Sequence, residues 1–515
     1  MPMIKDRARL FSWAIPLAIL LVYLCFPTRQ YFFDGVDFAW TIENAPALDA
    51  SLIHPNHLFY EGFGYLIYKA VRGAGIEARA LTVLQVTNSI LGALCALVLF
   101  RTLRLSLRSL YLAGALTLLF AFSATWWKFA TDADAYIPSV LFILASFHLI
   151  TPAGKSRPFR LALLFSLAMC FHQLAVIFFP VLALGVYLQT SERPLKEGLP
   201  EVLKFGAASF VLTFGTYYYF FYVATGSLNL HRLFRWMTSF SPDASFSFDA
   251  ASNLSYTLRG FTRLFFGGRF NLLRGLFNPL TIALLALLAI LAALLFILLI
   301  RHAKDLRPRW KRASASLRGE RRLLLLCAVW VLSYTAFLFV WLPQHTFYRL
   351  FYLPALIQLA GLLMAGGERR VPPARTYALS LAVAVMGLSN FLFLIFPYAH
   401  VQKYPPLAMA LEMNQVWPRG TVVYYALTNA DASLFRYFNP PTLWKEFDVR
   451  RTGELESELR NIYSTGRTAW LEVTAIEQLL STTEGADWLK AHALEPSRRE
   501  LVDRAYKIKF VQVVP

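Results

Sequence analysis

Two aspartates, Asp34 and Asp37, follow the first long apolar run and lie among aromatic residues in the segment YFFDGVDFAW. A carboxylate at a lipid–water boundary is partly desolvated, and desolvation raises its pKa toward the value that a general base needs. The pair therefore predicts a base that takes a proton from a hydroxyl group. The alternative is that both are solvated loop acids, and the residues alone leave the two interpretations open.

The next polar cluster lies in the segment HPNHLFYEGFGYLIY. His54 and His57 have i, i+3 spacing, and Glu61 follows one turn later, so that all three could share one helix face. This is a spacing that metal ligands use, but Pro55 disturbs the helix that it needs. We favour hydrogen bonding to a phosphate or a sugar, predict no metal site, and keep a divalent cation as the alternative.

Acidic residues also occur in the short turn TDADAY, which connects two apolar runs. Asp132, Asp134 and Tyr136 are candidates for contact with a substrate, and the competing role for either acid is capping the following helix. His172 lies at the tip of the next hairpin. It either faces the same substrate cavity as these acids or has a structural role.

Arginines on the predicted outer side need a separate explanation, because they break the charge pattern of the chain. The guanidinium group matches phosphate oxygens and keeps its charge near lipid. A membrane-borne phosphate is therefore the expected partner, although snorkelling toward lipid headgroups would explain two or three of the five. They are Arg259, Arg263, Arg269, Arg274 and Arg349. We take Arg263, Arg269 and Arg349 as the substrate-binding candidates.

The composition defines the elements that must position these residues. Of 515 residues, 57% are hydrophobic and 16% are charged, whereas soluble chains carry about 25% charged residues. Apolar runs of about 18–25 residues are long enough to cross a bilayer. The fold class is therefore a polytopic α-helical membrane protein with about eleven spans. They are Leu10–Phe26, Leu81–Phe100, Ser109–Ala124, Ile137–Ile150, Leu161–Met169, Leu174–Leu188, Glu201–Ala224, Pro279–Ile300, Leu323–Leu342, Leu350–Ala365 and Tyr377–Pro397.

The net charge of +19 reflects Lys and Arg in the short connectors between apolar runs, strongest in RHAKDLRPRWKRASASLRGERR. This is the positive-inside pattern of a membrane protein and does not indicate binding to nucleic acid. It places the N-terminus inside and the loops 28–80 and 225–278 outside. The first apolar run is expected to stay as a span, with a cleaved signal peptide as the alternative.

Hydrophobicity falls after residue 400. Residues 401–515 mix strand-like runs (TVVYYAL, TAWLEV and KIKFVQVV) with helical ones (ADASLFRYF, AIEQLLST and ADWLKAHAL). The alternation predicts a small extracytoplasmic α/β domain that follows a transmembrane domain of residues 1–400.

The order of these motifs is similar to that of a known family. DGVD, HPNHLFYEGFGYLIY, WWKFATDADAY, FHQLAVIFFP and YRLFYLPAL follow one another over about 400 residues. This order resembles the integral-membrane glycosyltransferases of the GT-C superfamily. The resemblance is greatest to bacterial relatives of protein O-mannosyltransferases, which have an HPPGYPLY-like segment and an acid-x-Tyr turn.

The resemblance implies a polyprenyl-phosphate sugar donor, a base in the first outer loop and inversion at the anomeric carbon. It implies that Asp34 is the base, with Asp37 as second choice, and that Asp132 or Asp134 supports the acceptor or donor. It implies that Arg349 holds the lipid phosphate. This sequence departs from the family pattern in two places. It has HPNH where the family has HPPG, and its two acids are separated where those of the family are adjacent. The identity of the base therefore stays open between Asp34 and Asp37.

We therefore expect a multi-pass glycosyltransferase of the bacterial inner membrane with its active site on the periplasmic or extracellular face. Its expected partners are the donor, membrane lipids, and a lipid, glycan or protein acceptor. No cofactor is firmly implied. A transporter or flippase and a non-catalytic receptor are the alternatives, but the charges cluster at outer span ends and not in the middle of spans.

Overall fold

The fold is taken from a computed structural model. It describes residues 2–107, 109–152, 157–189, 196, 198–238, 246–302, 318–365, 371–426, 430–447, 452–500 and 507–515. The predicted basic connector at 303–317 lies outside the described residues, as do most of 191–198 and the segment 366–370. Part of the second outer loop, 239–245, lies outside them too.

The chain forms two compact units. The first comprises Met1–Thr28 and Thr41–Pro397, and the second comprises Arg29–Trp40 and Tyr398–Pro515. The second unit thus contains a short segment from the first predicted outer loop in addition to the C-terminal residues.

The described part of the first unit is mostly helical, with an isolated β-bridge between Phe246 and Trp341. Its α-helices are Pro2–Cys25, Tyr60–Gly73, Ala80–Leu107, Leu110–Ala121, Ala124–Ala130, Tyr136–Ile150, Pro158–Phe171, Phe179–Gln189, Leu199–Thr225, Leu230–Thr238, Ala250–Phe265, Pro279–Arg301, Arg318–Val340, Leu353–Ala365, Pro373–Asn390 and Phe396–Tyr398. A π-helical turn, Phe391–Ile395, joins the last two. Short 3₁₀ helices are Ala50–Leu52, Pro55–His57, Gln173–Phe178, Phe270–Leu273 and Phe347–Phe351.

Four described helices are long and apolar enough to cross a membrane: Ala80–Leu107, Pro279–Arg301, Glu320–Val340 and Pro373–Tyr398. A fifth span would be formed by Leu110–Ala121 and Ala124–Ala130, which are bent by 69° relative to each other. Shorter apolar helices occupy several other predicted spans, and the total of about eleven stays a prediction. The membrane-helical class is confirmed.

Local sequence explains where individual helices begin and end. Asn278 accepts a hydrogen bond from the Thr281 backbone N–H (2.9 Å), while the Thr281 hydroxyl accepts one from the Asn278 N–H (2.8 Å). This reciprocal cap and Pro279 at the first helical position start the helix Pro279–Arg301. Gly226, with φ +66°, ends the helix Leu199–Thr225 in the left-handed conformation that favours glycine.

The helix Ala80–Leu107 is central to the first unit and packs against Pro2–Cys25, Leu110–Ala121 and Tyr136–Ile150. Leu99, Phe100 and Leu103 lie in its buried face. By contrast, the apolar side chains of Pro279–Arg301 remain largely exposed within the unit, as expected for a helix that faces lipid.

The second unit has a five-stranded sheet of order β2-β1-β3-β5-β4. The strands are β1 Val422–Tyr425, β2 Leu443–Glu446, β3 Ala469–Glu472, β4 Ala493–Glu500 and β5 Lys507–Val513. β1 pairs in parallel with β2 and β3, and β5 is antiparallel to β3 and β4. The predicted C-terminal α/β fold is confirmed.

The second unit also contains helices. They are Phe33–Asn44, Pro405–Val416, Ala430–Phe438, Thr452–Ser464, Val473–Leu480 and Thr483–His492, with a 3₁₀ turn at Val401–Lys403. The helix Phe33–Asn44 belongs to this unit as far as Trp40. Leu459, Leu471 and Val513 are fully buried in the core between sheet and helices.

Candidate active site

The acidic turn between the helices Ala124–Ala130 and Tyr136–Ile150 is held by a face of the helix Ala80–Leu107. Asn88 Nδ2 donates to the carbonyl oxygens of Asp132 (2.9 Å) and Asp134 (2.8 Å). Gln85 donates to the carbonyl of Thr131 (3.0 Å), and Ser89 to that of Ala130 (3.2 Å). The spacing i, i+3, i+4 places the three polar side chains on one helix face. They satisfy the carbonyls of the turn and fix its shape.

Asp132 and Asp134 are both buried, at 0% and 1% exposure. Asp132 Oδ1 accepts from the Ala133 N–H (2.8 Å), and Asp134 Oδ1 accepts from the Tyr136 N–H (3.2 Å). The second bond satisfies the start of the helix Tyr136–Ile150, so Asp134 does perform part of the capping role that the sequence offered as an alternative.

Two further side chains lie beside these carboxylates. Lys128 interacts electrostatically with Asp132 and Asp134. Tyr60 is fully buried. Burial raises the pKa of Tyr60, and the negative charges of Asp134 and Asp132 raise it further, while the neighbouring Asn88 side chain lowers it. The acids therefore have a phenol and a cation as neighbours, and Glu61, the residue after Tyr60, is buried as well.

Three imidazoles pack in a row next to this turn, called the histidine stack below: the first pair is parallel and the second pair is tilted by 48°. The ring centroids of His54 and His57 are 4.7 Å apart at 12°, and those of His57 and His172 are 5.4 Å apart. The Tyr136 ring lies 5.0 Å from His172, and this contact joins the stack to the acidic turn. The structure thus brings together the predicted residues of three separate motifs.

The stacked histidines are neutral at ordinary pH. Burial lowers the pKa of His54 to about 4. Burial, together with the charge of His54, lowers that of His172 to about 3. Nδ1 of His54 accepts from the Asn56 N–H (3.3 Å) and Nδ1 of His172 from the Leu174 N–H (3.1 Å). In each ring the proton therefore resides on Nε2, which is the atom that can donate to a substrate oxygen.

Arg349 is buried, at 1% exposure, in the 3₁₀ turn Phe347–Phe351. Its guanidinium donates to the carbonyls of His345 (2.9 Å) and Pro343 (3.0 Å). It also lies against Gly260, where an added Cβ would come within 2.3 Å of Cζ. Among the described residues no carboxylate forms an ion pair with Arg349. The turn thus holds a cation whose described partners are mainly neutral, the kind of site that suits an anion.

The other outer arginines have a different environment. The side chains of Arg259, Arg263, Arg269 and Arg274 are exposed. The Arg263 carbonyl accepts from the Thr125 hydroxyl (3.0 Å), and the Arg269 N–H donates to the carbonyl of Phe393 (3.0 Å). These bonds use their backbones, so nothing here distinguishes Arg263 and Arg269 from residues that snorkel to headgroups.

Asp34 and Asp37 lie in the second unit, on the helix Phe33–Asn44. Burial raises the pKa of Asp34 to about 7, and the charge of Asp37 adds to the effect. The pKa of Asp37 is also raised by burial, but hydrogen bonds from Ser433 and Arg436 and the charge of Arg436 counteract the increase. Asp34 is therefore the carboxyl whose pKa suits a base at neutral pH.

Sequence reasoning missed Asn88, Lys128, Tyr60 and Arg436. Gln85, Asn88 and Ser89 did leave a signal, since they are polar residues at helical spacing within an otherwise apolar run. The described residues contain no group of three or more His, Cys, Asp or Glu side chains that could hold a metal ion. A divalent cation stays a hypothesis.

No protein-family model matches the chain, and no curated protein matches it. Among solved structures, it is similar to ArnT from Cupriavidus metallidurans, both bound to undecaprenyl phosphate and in the apo state. Each comparison has a TM-score of 0.58 and 13% identity, and covers 99% of this chain and 98% of ArnT.

A second similar structure is the oligosaccharyltransferase of Archaeoglobus fulgidus tethered with an acceptor peptide, with a TM-score of 0.43 and 10% identity. That match covers 95% of this chain and 73% of the archaeal protein. The similarity to ArnT extends over nearly the whole of both chains. The chain therefore shares the fold of ArnT over almost its full length, in agreement with the membrane-helical fold class expected from its sequence.

Proposed function

We propose that the chain is a membrane glycosyltransferase that moves a sugar from a polyprenyl-phosphate donor to an acceptor hydroxyl on the extracytoplasmic side. The observation that carries the proposal is the fold shared with ArnT, a protein whose crystal structure contains undecaprenyl phosphate. The buried acidic turn, the neutral histidine stack and the buried Arg349 support it, because a sugar phosphate needs hydrogen-bonding groups and a cation.

In the proposed reaction the carboxylate of Asp34 takes the proton of the acceptor hydroxyl. The acceptor oxygen attacks C1 of the sugar, and the bond from C1 to the phosphate oxygen breaks. The electron pair leaves with the polyprenyl phosphate, and the configuration at C1 inverts. A pKa of about 7 for Asp34 supports this role, since the carboxylate is then a stronger base than an ordinary one and is still partly ionised at neutral pH.

Arg349 would bind the phosphate, both in the donor and as it leaves. A guanidinium group offers paired donors to phosphate oxygens, and an environment with little water strengthens the interaction as negative charge develops. Asp132 or Asp134 would hold sugar or acceptor hydroxyl groups, with His54, His57, Glu61, Tyr136 and His172 as further hydrogen-bonding partners. The acceptor would be a lipid, a glycan or a protein.

The proposal is tested with Asp34→Asn and Asp37→Asn in membranes supplied with a radiolabelled polyprenyl-phosphate sugar. We expect Asp34→Asn to lose transfer by a factor of about 100 or more, as is typical when a general base is removed. Asp49→Asn is the matched control, because Asp49 is a partly exposed helix cap in the same loop and asparagine caps equally well. Full activity of Asp34→Asn would remove Asp34 from the base role.

The alternatives give different results in the same membranes. A transporter or flippase would move the lipid-linked sugar across the bilayer without forming a glycosylated product. A receptor would bind a partner through its C-terminal residues and show no turnover. Transfer of label from donor to acceptor, lost in Asp34→Asn and kept in Asp49→Asn, excludes both.

A further inference from the structure

Two short helices of the second unit face each other, although 399 positions separate Asp37 on one from Arg436 on the other. Asp37 and Trp40 lie three residues apart on Phe33–Asn44, and Ser433 and Arg436 lie three residues apart on Ala430–Phe438. Residues at i, i+3 share one face of a helix. Each helix therefore presents a pair of side chains to the other.

Arg436 contacts both members of the opposite pair. Its Nη2 lies 3.3 Å from Oδ1 of Asp37, and its guanidinium carbon lies 5.0 Å from the centre of the Trp40 ring. The ion pair and the cation–π contact together restrict the position of the guanidinium between the two side chains. The Ser433 side chain also lies close enough to Asp37 to favour its charged form. One turn of Ala430–Phe438 thus holds one turn of Phe33–Asn44.

Contacts at the start of the segment restrict it further. The rings of Tyr31 and Phe438 stack with centroids 6.0 Å apart. The Arg29 N–H donates to the carbonyl of Tyr398 (2.6 Å), and the Arg29 guanidinium donates to the Tyr31 hydroxyl (3.2 Å). The segment that contains Asp34 is therefore attached to the C-terminal residues both before and after that carboxyl.

The side chains of Arg436 and Asp37 are 36% and 41% exposed. Ion pairs with this much exposure contribute little to global stability, because water and salt screen them. Even a weak ion pair can set the orientation of a helix, however. Asp34 is one helical turn before Asp37, so an orientation fixed at Asp37 and Trp40 also fixes the direction in which Asp34 points.

We propose that Arg436 is a positioning residue for sugar transfer: by binding Asp37 and Trp40 together, it holds the helix of the candidate base in one orientation on the C-terminal unit. The inference rests on the proposed function for its catalytic consequence. Arg436 does not touch the reacting atoms. It acts through Asp37 and the helix, and the C-terminal unit thereby supports the base.

The test uses the full chain in membranes or detergent, with the variants Arg436→Gln and Arg436→Lys. Arg436→Gln should lower kcat by about 10- to 100-fold, the loss that a small displacement of a catalytic group produces, with little change in KM for the donor. Arg436→Lys keeps a cation beside Asp37 and should recover part of the rate. Recovery by lysine separates positioning from a loss of folded protein.

A second measurement does not depend on turnover. Hydrogen exchange of the peptide that covers residues 33–44 should accelerate in Arg436→Gln, while exchange in the helix Thr452–Ser464 stays at the wild-type rate. The matched control is Arg460→Gln, because Arg460 is an exposed arginine of the same unit that pairs with Glu456. It should change neither exchange nor kcat.

The two proposals fail in distinguishable ways. A wild-type chain that transfers no sugar contradicts the proposed function, and the exchange measurement still decides the positioning role. Unchanged exchange at residues 33–44 in Arg436→Gln, or a kcat equal to that of the wild type in an active preparation, overturns the inference about Arg436.

Discussion

Asn88 donates a hydrogen bond of 2.8 Å to the main-chain carbonyl of Asp134 from inside an apolar helix. The same amide group also bonds to the carbonyl of Asp132. The turn that presents two buried carboxylates is thus fixed by a side chain that precedes them by 44 and 46 positions. Substitution of Asn88 should therefore affect the acidic turn without removing either acid.

We expect Asn88→Ala to destabilise the protein by about 1–3 kcal/mol, because buried carbonyls lose their donor. Transfer activity should fall in addition, as the two carboxylates lose their fixed geometry. Thermal unfolding in detergent and initial rates in membranes measure the two effects. Thr87→Ala is the control, since the hydroxyl of the neighbouring Thr87 donates to the Val83 carbonyl within its own helix. Equal behaviour of the two variants would contradict the role of Asn88.

The pH dependence of transfer should report Asp34. Its pKa of about 7 means that the carboxyl is increasingly protonated below that pH and cannot accept a proton. The rate should therefore rise by about tenfold per pH unit below pH 7 and level off above it. In Asp37→Asn the rise should move to lower pH, because the charge of Asp37 contributes to the raised pKa. A pH-independent rate from 5 to 8 would exclude this carboxyl as the base.

The histidine stack should make the protein sensitive to acid. The pKa values of His54 and His172 lie near 4 and 3 in the folded protein, compared with an ordinary value of 6.5. A lowered pKa in the folded state means that protonation favours unfolding, so the stabilisation is present above pH 6.5 and is lost as pH falls toward 4. Thermal unfolding at a series of pH values should show Tm decreasing over that interval.

The variant His54→Gln should flatten this decrease in Tm, since one of the groups that titrate has been removed. His231→Gln is the control, because His231 is exposed. If both variants follow the wild-type curve, the acid sensitivity comes from other groups.

Gly260 should be intolerant of a methyl group. An alanine Cβ would lie 2.3 Å from Cζ of Arg349, so the guanidinium must move. We expect Gly260→Ala to raise KM for the donor by about 10- to 100-fold, since hydrogen bonds to a charged group are worth about 1.5–3 kcal/mol. Gly215→Ala is the control, because open space surrounds that position. An unchanged KM would argue against phosphate binding by Arg349.

Part of this organisation could be read from the sequence. Acids and histidines stand out in a chain with few charged residues, and apolar runs with basic connectors predict membrane helices. The motifs around Asp132, His54 and His172 were therefore identified, and the structure places them together. Alternation of strand-like and helical runs likewise predicted the C-terminal fold, although strands β2 and β4 were not predicted.

Other relationships leave no local pattern. Asp37 and Arg436 are separated by 399 positions, and no periodicity links residues at that distance. The segment Arg29–Trp40 looks like part of an outer loop, and its packing with residues after Tyr398 depends on contacts that only the folded chain forms. Burial of Arg349 was also not foreseeable, because its neighbour Gly260 is unremarkable in sequence.

The inclusion of Arg29–Trp40 in the second unit also limits how the protein can be divided. A fragment that begins after the last membrane helix would lack the segment that Arg436, Phe438 and Tyr398 contact, and with it the candidate base Asp34. Exchange of the C-terminal residues between homologous chains would have to transplant the segment next to the first membrane helix as well. Truncation and chimera experiments on this protein therefore have to move Arg29–Trp40 and Tyr398–Pro515 together.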